Sequence, residues 1–199
     1  MKKLNKIIII TLLAVLCACS DDDNKPNDNN NYFEFEFLKV GNKWEYEISY
    51  YDTNGNFISK NDRIYEITAM KKYDGEAGWD NEFVVNDGFN NFYENENSLT
   101  CNPSSGFDYE FPTIYKNYYK GQKWEYEPYD RIREVLSINE TVTVPAGIFS
   151  NCIKIGEGNG VYYISPKYGL ITKEFYAYFE DNDVTVFGKI VKQLVSKNF

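Results

Sequence analysis

From residue 32 onward, apolar and polar side chains alternate one for one. Phe33, Phe35 and Phe37 alternate with Glu34 and Glu36; Trp44, Tyr46 and Ile48 alternate with Lys43, Glu45 and Glu47. A period of two places every second side chain on the same face of an extended chain, so each run predicts a strand with one wet face. No segment keeps a helical period beyond a turn or two. Asp52-Thr53-Asn54-Gly55-Asn56 carries an Asn-Gly hairpin signal between two such runs, and Asp181-Asn182-Asp183 reads as the turn of a last hairpin. Further strands are predicted over 62–72, 82–86, 89–94, 109–115, 122–127, 133–144, 152–156, 160–165, 170–180 and 184–195. The pattern is that of an all-β, antiparallel chain forming a sandwich, a barrel or a strongly curved sheet.

The strand pattern repeats. Gly41-Asn42-Lys43-Trp44-Glu45-Tyr46-Glu47-Ile48 recurs 80 residues later as Gly121-Gln122-Lys123-Trp124-Glu125-Tyr126-Glu127-Pro128, with six of eight positions identical. A weaker echo pairs Gly88 to Thr100 with Gly160 to Thr172. Two related halves follow, about 32–112 and 113–199, sharing one core. Two copies are too few for a solenoid.

Composition narrows the chemistry. With 18 Tyr, 14 Phe and 3 Trp in 199 residues, the chain can bury a large core. It contains no His, which removes Ser-His-Asp and Cys-His catalysis and His-ligated metal. Its formal charge of −9 argues against nucleic acid as a partner, since phosphate binding needs a basic surface.

The N-terminus reads as an address. Lys2, Lys3 and Lys6 precede an apolar run from Ile7 to Leu16 broken only by Thr11. As a helix, such a run rises about 15 Å, half the hydrocarbon thickness of a bilayer, so it predicts a signal peptide over 1–18 and not a span. Leu16-Cys17-Ala18-Cys19 resembles the bacterial lipobox. The match implies cleavage between Ala18 and Cys19 and acylation of the Cys19 thiol. Cleavage removes three of the 21 basic residues and none of the 30 acidic ones, so the mature chain is more acidic still. Two or three acyl chains at ~0.8 kcal/mol per buried methylene hold a protein on a bilayer without a transmembrane helix. Ser20-Asp21-Asp22-Asp23 looks like the export signal that sends Bacteroidota lipoproteins to the outer face of the outer membrane. A solvated acidic tether is the plainer reading of the same run. Residues 24–31 are polar and of low complexity, so 19–31 form a lipidated tether that could extend about 40 Å, and the single β domain spans 32–199.

A family resemblance rests on three segments taken together. GNKWEYE and GQKWEYE resemble the G-x-x-W-x-Y strands of bacterial surface lipoproteins of unknown function. Val142-Thr143-Val144-Pro145-Ala146-Gly147-Ile148-Phe149-Ser150-Asn151-Cys152 is similar to their VxVPAGxFxxC segment. Gly160 to Ile171 resembles the YYxxPGxGLI segment that follows, with Lys167-Tyr168 departing from its usual small turn residues. The resemblance covers most of 37–180. It implies an open, curved antiparallel sheet or half-barrel, and carries over no active site.

Several residues invite a functional reading. Trp79 lies in a polar, glycine-containing stretch, where its ring could stack on a sugar while Asp74, Glu76 and Asp80 accept hydroxyl hydrogen bonds. It could equally plug the end of a sheet. Trp44 and Trp124 hold matched repeat positions and read as core anchors ahead of sugar platforms. In Tyr50-Tyr51, Tyr118-Tyr119 and Tyr162-Tyr163 one ring of each pair should face outward, and Tyr176 and Tyr178 belong to the same cluster; exposed tyrosines suit an interface, but cross-strand packing is the favoured reading. Cys101 and Cys152 remain after lipidation. They either form a disulfide across a loop of about 50 residues or stay as two thiols, with Cys152 behind the VPAG turn. Asp52–Asn56 and Asp181–Asp183 carry oxygen donors but match turn chemistry better than a calcium loop. No metal or cofactor is expected.

The sequence therefore predicts an outer-membrane lipoprotein, anchored through Cys19, surface-exposed and non-catalytic, that binds an envelope protein or a glycan. An interaction module should show an exposed aromatic patch. A carbohydrate-active enzyme should show two convergent carboxylates, one with a raised pKa. A carrier should show a dry apolar cavity.

Overall fold

Twelve strands follow one another along the chain: β1 (Lys43–Tyr51), β2 (Phe57–Lys72), β3 (Asn81–Val85), β4 (Asn90–Glu94), β5 (Ser98–Pro103), β6 (Ile114–Tyr115), β7 (Lys123–Tyr126), β8 (Arg131–Val144), β9 (Gly147–Glu157), β10 (Gly160–Ser165), β11 (Gly169–Asp181) and β12 (Val184–Asn198). They belong to a computed structural model that describes residues 34–73, 78–86, 90–103, 113–126 and 131–199. Every neighbouring pair is antiparallel, and the sheet order is β6-β5-β4-β3-β2-β1-β12-β11-β10-β9-β8-β7. The fold is thus two six-stranded meanders fused where β1 pairs with β12.

The sheet must curl. Laid flat at ~4.8 Å per strand, its edge strands β6 and β7 would stand about 53 Å apart. Yet only residues 116–122 join them, a reach of about 25 Å even fully extended. The edges in fact meet: Tyr115 of β6 and Trp124 of β7 pack edge to face with ring centroids 5.6 Å apart. No backbone ladder joins β6 to β7, so the sheet is strongly curved but not closed.

The repeat has a structural meaning. Both echoes fall on strands six apart, β1 with β7 and the β4–β5 region with β10–β11. Gly41 and Gly121 open the first strand of each half at φ +92° and +88°, a left-handed turn that favours glycine. Their amides donate to Ile67 and Val135 carbonyls, each at 2.8 Å, and the amides of Ile67 and Val135 donate back to Asn42 and Gln122 at 3.0 and 2.9 Å. The same turn thus locks the first strand of each half to its second.

The concave face holds one core, including Trp44, Tyr46, Ile67, Phe83, Val85, Leu99, Ile114, Val135, Cys152, Ile155, Ile164 and Leu194. Trp44 donates from Nε1 to the Tyr168 carbonyl at 2.8 Å, and Tyr46 from its hydroxyl to the Leu170 carbonyl at 2.8 Å. The G-x-x-W-x-Y strand and the Y-G-L-I segment are therefore mutual partners across the core. Trp124 is half-buried and packs against the same core, so both tryptophans are anchors.

Two strand expectations need correction. The described part of the Phe33–Phe37 run is turn, not strand: Leu38 and Lys39 amides donate to the Phe35 and Phe37 carbonyls. Phe35 and Phe37 are nevertheless buried, with Phe37 edge-on to Trp44 and Phe92. There the alternation recorded burial at the end of the sheet. The sequence pattern also missed β5, whose end at Pro103 weakens the strand signal. Of the 109–115 prediction, 109–112 lie outside the described residues, and Ile114–Tyr115 form β6.

Candidate functional site

The convex face carries an aromatic surface toward the far end of β11 and β12. β11 and β12 run past their neighbours to a tight turn in which Asn182 and Asp183 adopt φ +47° and +64°. Register places Phe57, Tyr51, Lys189 and Tyr176 side by side across four strands, and Tyr178 opposite Phe187. These rings touch: Tyr51 and Phe57 at 5.9 Å, Tyr178 and Phe187 at 4.9 Å, Tyr176 and Phe187 at 6.3 Å. Tyr178 is 72% exposed and Phe187 41% exposed. Lys189 sits in the middle, its ammonium over the Tyr51 ring and 3.2 Å from Glu174 Oε2. On β10 Tyr162 is buried and Tyr163 half-buried, as period two requires; Tyr50 and Tyr51 of β1 are both half-buried, and Tyr118 (buried) and Tyr119 (exposed) lie between strands β6 and β7.

A second cluster surrounds Trp79. The half-buried indole packs at a tilt on Tyr93, 5.9 Å between centroids. Beneath lies Glu82, buried on the convex face of β3. Its carboxylate accepts from Tyr73 Oη at 2.5 Å, Asn91 Nδ2 at 2.7 Å, Lys71 Nζ at 3.2 Å and Tyr93 Oη at 3.4 Å. The Tyr73 hydrogen bond, then Lys71 and Asn91, hold the Glu82 pKa below its ordinary value against the opposing effect of burial. Asp80 is exposed and anchors the loop through its backbone, donating to Glu94 and accepting from Tyr73. Asp74 and Glu76 lie outside the described residues. The residues that build this cluster, Glu82, Tyr73 and Asn91, were invisible without the register that sets Lys71 opposite Glu82 and Glu82 opposite Tyr93.

The concave face is not uniformly apolar. Arg133 on β8 is 1% exposed and donates from Nε to Glu157 Oε2 at 2.7 Å, while Tyr162 donates to the same oxygen at 3.0 Å and Arg131 lies 3.5 Å from Oε1. Burial, with the Glu157 charge beside it, pushes the Tyr162 phenol well above the usual tyrosine range. Lys173 and Lys192 continue this belt toward β1, each buried.

Cys101 on β5 and Cys152 on β9 are both buried, and no disulfide joins them. Cys152 Sγ donates to the Phe149 carbonyl at 3.5 Å, behind the Pro145–Ala146 turn as the sequence suggested. Burial first, and the nearby Glu140 charge second, push its thiol pKa to about 11. Asp52 uses both carboxylate oxygens on Asn54 and Asn56 of its own turn. Ala18, Cys19, Ser20, Asp21, Asp22 and Asp23 lie outside the described residues. Among the described residues, no helix is long and apolar enough to cross a membrane.

No protein-family model matches this sequence, and no curated protein matches it.

Proposed function

We propose that this chain is an outer-membrane lipoprotein, tethered through acylated Cys19 and facing outward, that acts as a non-catalytic interaction module. The observation that carries the reading is that the convex aromatic surface lies at the end of the sheet opposite residues 34–42, where the described chain begins. The chain enters the fold at residues 34–42, where the Glu36 amide meets the Pro166 carbonyl, and β1 then runs away from that end. Tyr51 closes β1 about 26 Å further on at ~3.3 Å per residue, and the β11–β12 hairpin reaches beyond it. A lipid anchor at one end and exposed amphipathic rings at the other suit a module that meets its partner away from the bilayer. Tyrosine fits such a role because it offers a large contact area with few rotors.

Electrostatics supports a binding role over hydrolysis. Among the described residues, the carboxylates with a shifted pKa are Glu47, Asp52 and Glu82. All three are lowered: Glu47 by its Lys60 hydrogen bond, Asp52 by Asn56 and Glu82 by Tyr73. A general acid needs the opposite shift. Glycan binding at Trp79 is a second reading, favoured by the Trp79–Tyr93 ring pair above the Glu82 network.

Crosslinking on intact cells carrying the native lipoprotein, followed by mass spectrometry, tests the proposal. One outer-membrane protein should be recovered near stoichiometry, and Tyr178→Ser with Phe187→Ser should abolish the adduct. An adduct unchanged in that double variant, or none at all, contradicts it. Glycan retention lost in Trp79→Ala would move the assignment to the second reading.

A further inference from the structure

The convex aromatic surface carries a charge pattern that its rings alone do not explain. Directly opposed residues of neighbouring strands share a face, so register sorts the convex side chains of β2, β1, β12 and β11 into rows. From the row that holds Tyr51 and Tyr176, the next two rows toward the entry end carry Lys60 with Glu174, then Asp62 with Glu47. In the other direction Tyr178 faces Phe187 and Glu180 faces Thr185, before the turn that holds Asp183. The cations in these rows, Lys60 and Lys189, already have partners: Lys60 meets Glu47 at 2.6 Å and Lys189 meets Glu174 at 3.2 Å. Asp62, Glu180 and Asp183 then lie beyond charge balance, and all three are exposed. Among the described residues, no cation forms an ion pair with Glu180 or Asp183.

The surface also shows how it holds a cation. The Lys189 ammonium lies over the Tyr51 ring, 5.9 Å from its centroid, and against the Glu174 carboxylate. A ring face and a carboxylate act on one charge there. The same combination of groups recurs nearer the turn. Tyr178 and Phe187 stand with centroids 4.9 Å apart, and Glu180 follows Tyr178 on the same face, ~7 Å further along the strand. That spacing lies within the ~8 Å Debye length of physiological salt, so the Glu180 charge is felt at the rings. A partner for this face should therefore be positively charged. A second copy of this chain would bring a formal charge of −9 and be repelled. Exposed rings flanked by carboxylates suit arginine and lysine side chains, whose cations meet both kinds of group.

We propose that the convex aromatic surface binds a protein face that presents arginine and lysine side chains. Tyr178 and Phe187 take the cations on their ring faces, while Glu180 and Asp183 attract and orient them. The inference rests on reading this surface as the interaction face, and adds the charge of what it meets.

Titration of a dye-labelled nona-arginine peptide with the full-length protein in non-ionic detergent, read by fluorescence anisotropy, tests the charge preference. The decisive comparison is between two double variants of equal net charge. Glu180→Gln with Asp183→Asn removes two carboxylates from the surface, and Glu34→Gln with Glu36→Gln removes two exposed ones from the opposite end. Asparagine tolerates the left-handed backbone of position 183, at φ +64°. The first variant should bind the peptide about fivefold more weakly, as expected for two exposed charge contacts, and the second like the native chain. Tyr178→Ser with Phe187→Ser should weaken binding as well. No binding by the native chain, equal loss in both charge variants, or no loss in either overturns the proposal. On intact cells, Glu180→Gln with Asp183→Asn should also lose the crosslinked adduct. An adduct kept in that variant but lost in Tyr178→Ser with Phe187→Ser leaves the interaction surface standing and overturns its cationic partner alone.

Discussion

At the scale of single residues, the polar groups buried in this fold are the informative ones. Glu82 is 5% exposed and yet charged, because Tyr73, Asn91 and Lys71 supply the hydrogen bonds that water would otherwise give. Its pKa in the folded protein lies below the ordinary 4.5. The stabilisation it confers is therefore complete above about pH 4.5 and is lost as the pH falls through the depressed folded value. Glu82→Gln should cost about 1–3 kcal/mol at pH 7 and make the acid side of the stability profile shallower, as read by urea unfolding between pH 7 and pH 3. Cys152 behaves oppositely, since burial keeps its thiol protonated. At pH 8, a thiol reagent should leave Cys101 and Cys152 unmodified in the native protein and label both after denaturation. A disulfide would leave both unlabelled in denaturant until reduction.

At the scale of elements, the repeated turn before β1 and β7 shows what the recurrent G-x-K-W-E-Y segment encodes. The glycine takes the left-handed conformation, the next residue's carbonyl accepts from the second strand, and the tryptophan turns into the core. Open space surrounds a Cβ built at either glycine, so the requirement is backbone conformation alone. Gly41→Ala and Gly121→Ala should each destabilise by about 1–2 kcal/mol in chemical unfolding. Because the turns are separate, the double variant should lose close to the sum. Gly188 is constrained differently: a Cβ there would collide with the Tyr51 backbone carbonyl where β12 approaches β1.

Legibility in the sequence followed the same division. Runs with clean alternation, such as Lys43–Tyr46 in β1 and Thr141–Val144 in β8, were readable because burial and period coincide there. The Asp52 and Asp181 turns were readable from local chemistry. β5 was not, being short and ending at proline. The residues around Phe35 and Phe37 showed alternation without strand, because aromatic burial at the end of a curved sheet follows the same rhythm. Trp79 lies outside the strands, as its polar, glycine-containing surroundings suggested, but its Tyr93 and Glu82 partners depend on register. The same holds for Lys173 opposite Lys192, since no local signal sets which residues of β11 and β12 face each other.

At the scale of the whole molecule, two six-stranded meanders share one core and curl until β6 and β7 touch through Tyr115 and Trp124. The fused centre, β1 against β12, carries both the entry end of the chain and, at its opposite end, the convex aromatic surface. That polarity is the basis for reading the protein as a tethered module directed away from the bilayer. The most direct measurement places a photoreactive amino acid at position 178, on the aromatic surface, or at position 39, where the described chain enters the fold, in the full-length protein expressed on intact cells. The account predicts one discrete macromolecular adduct from position 178 and none of that mass from position 39. Equal crosslinking from both positions, or an adduct from position 39 alone, would contradict it.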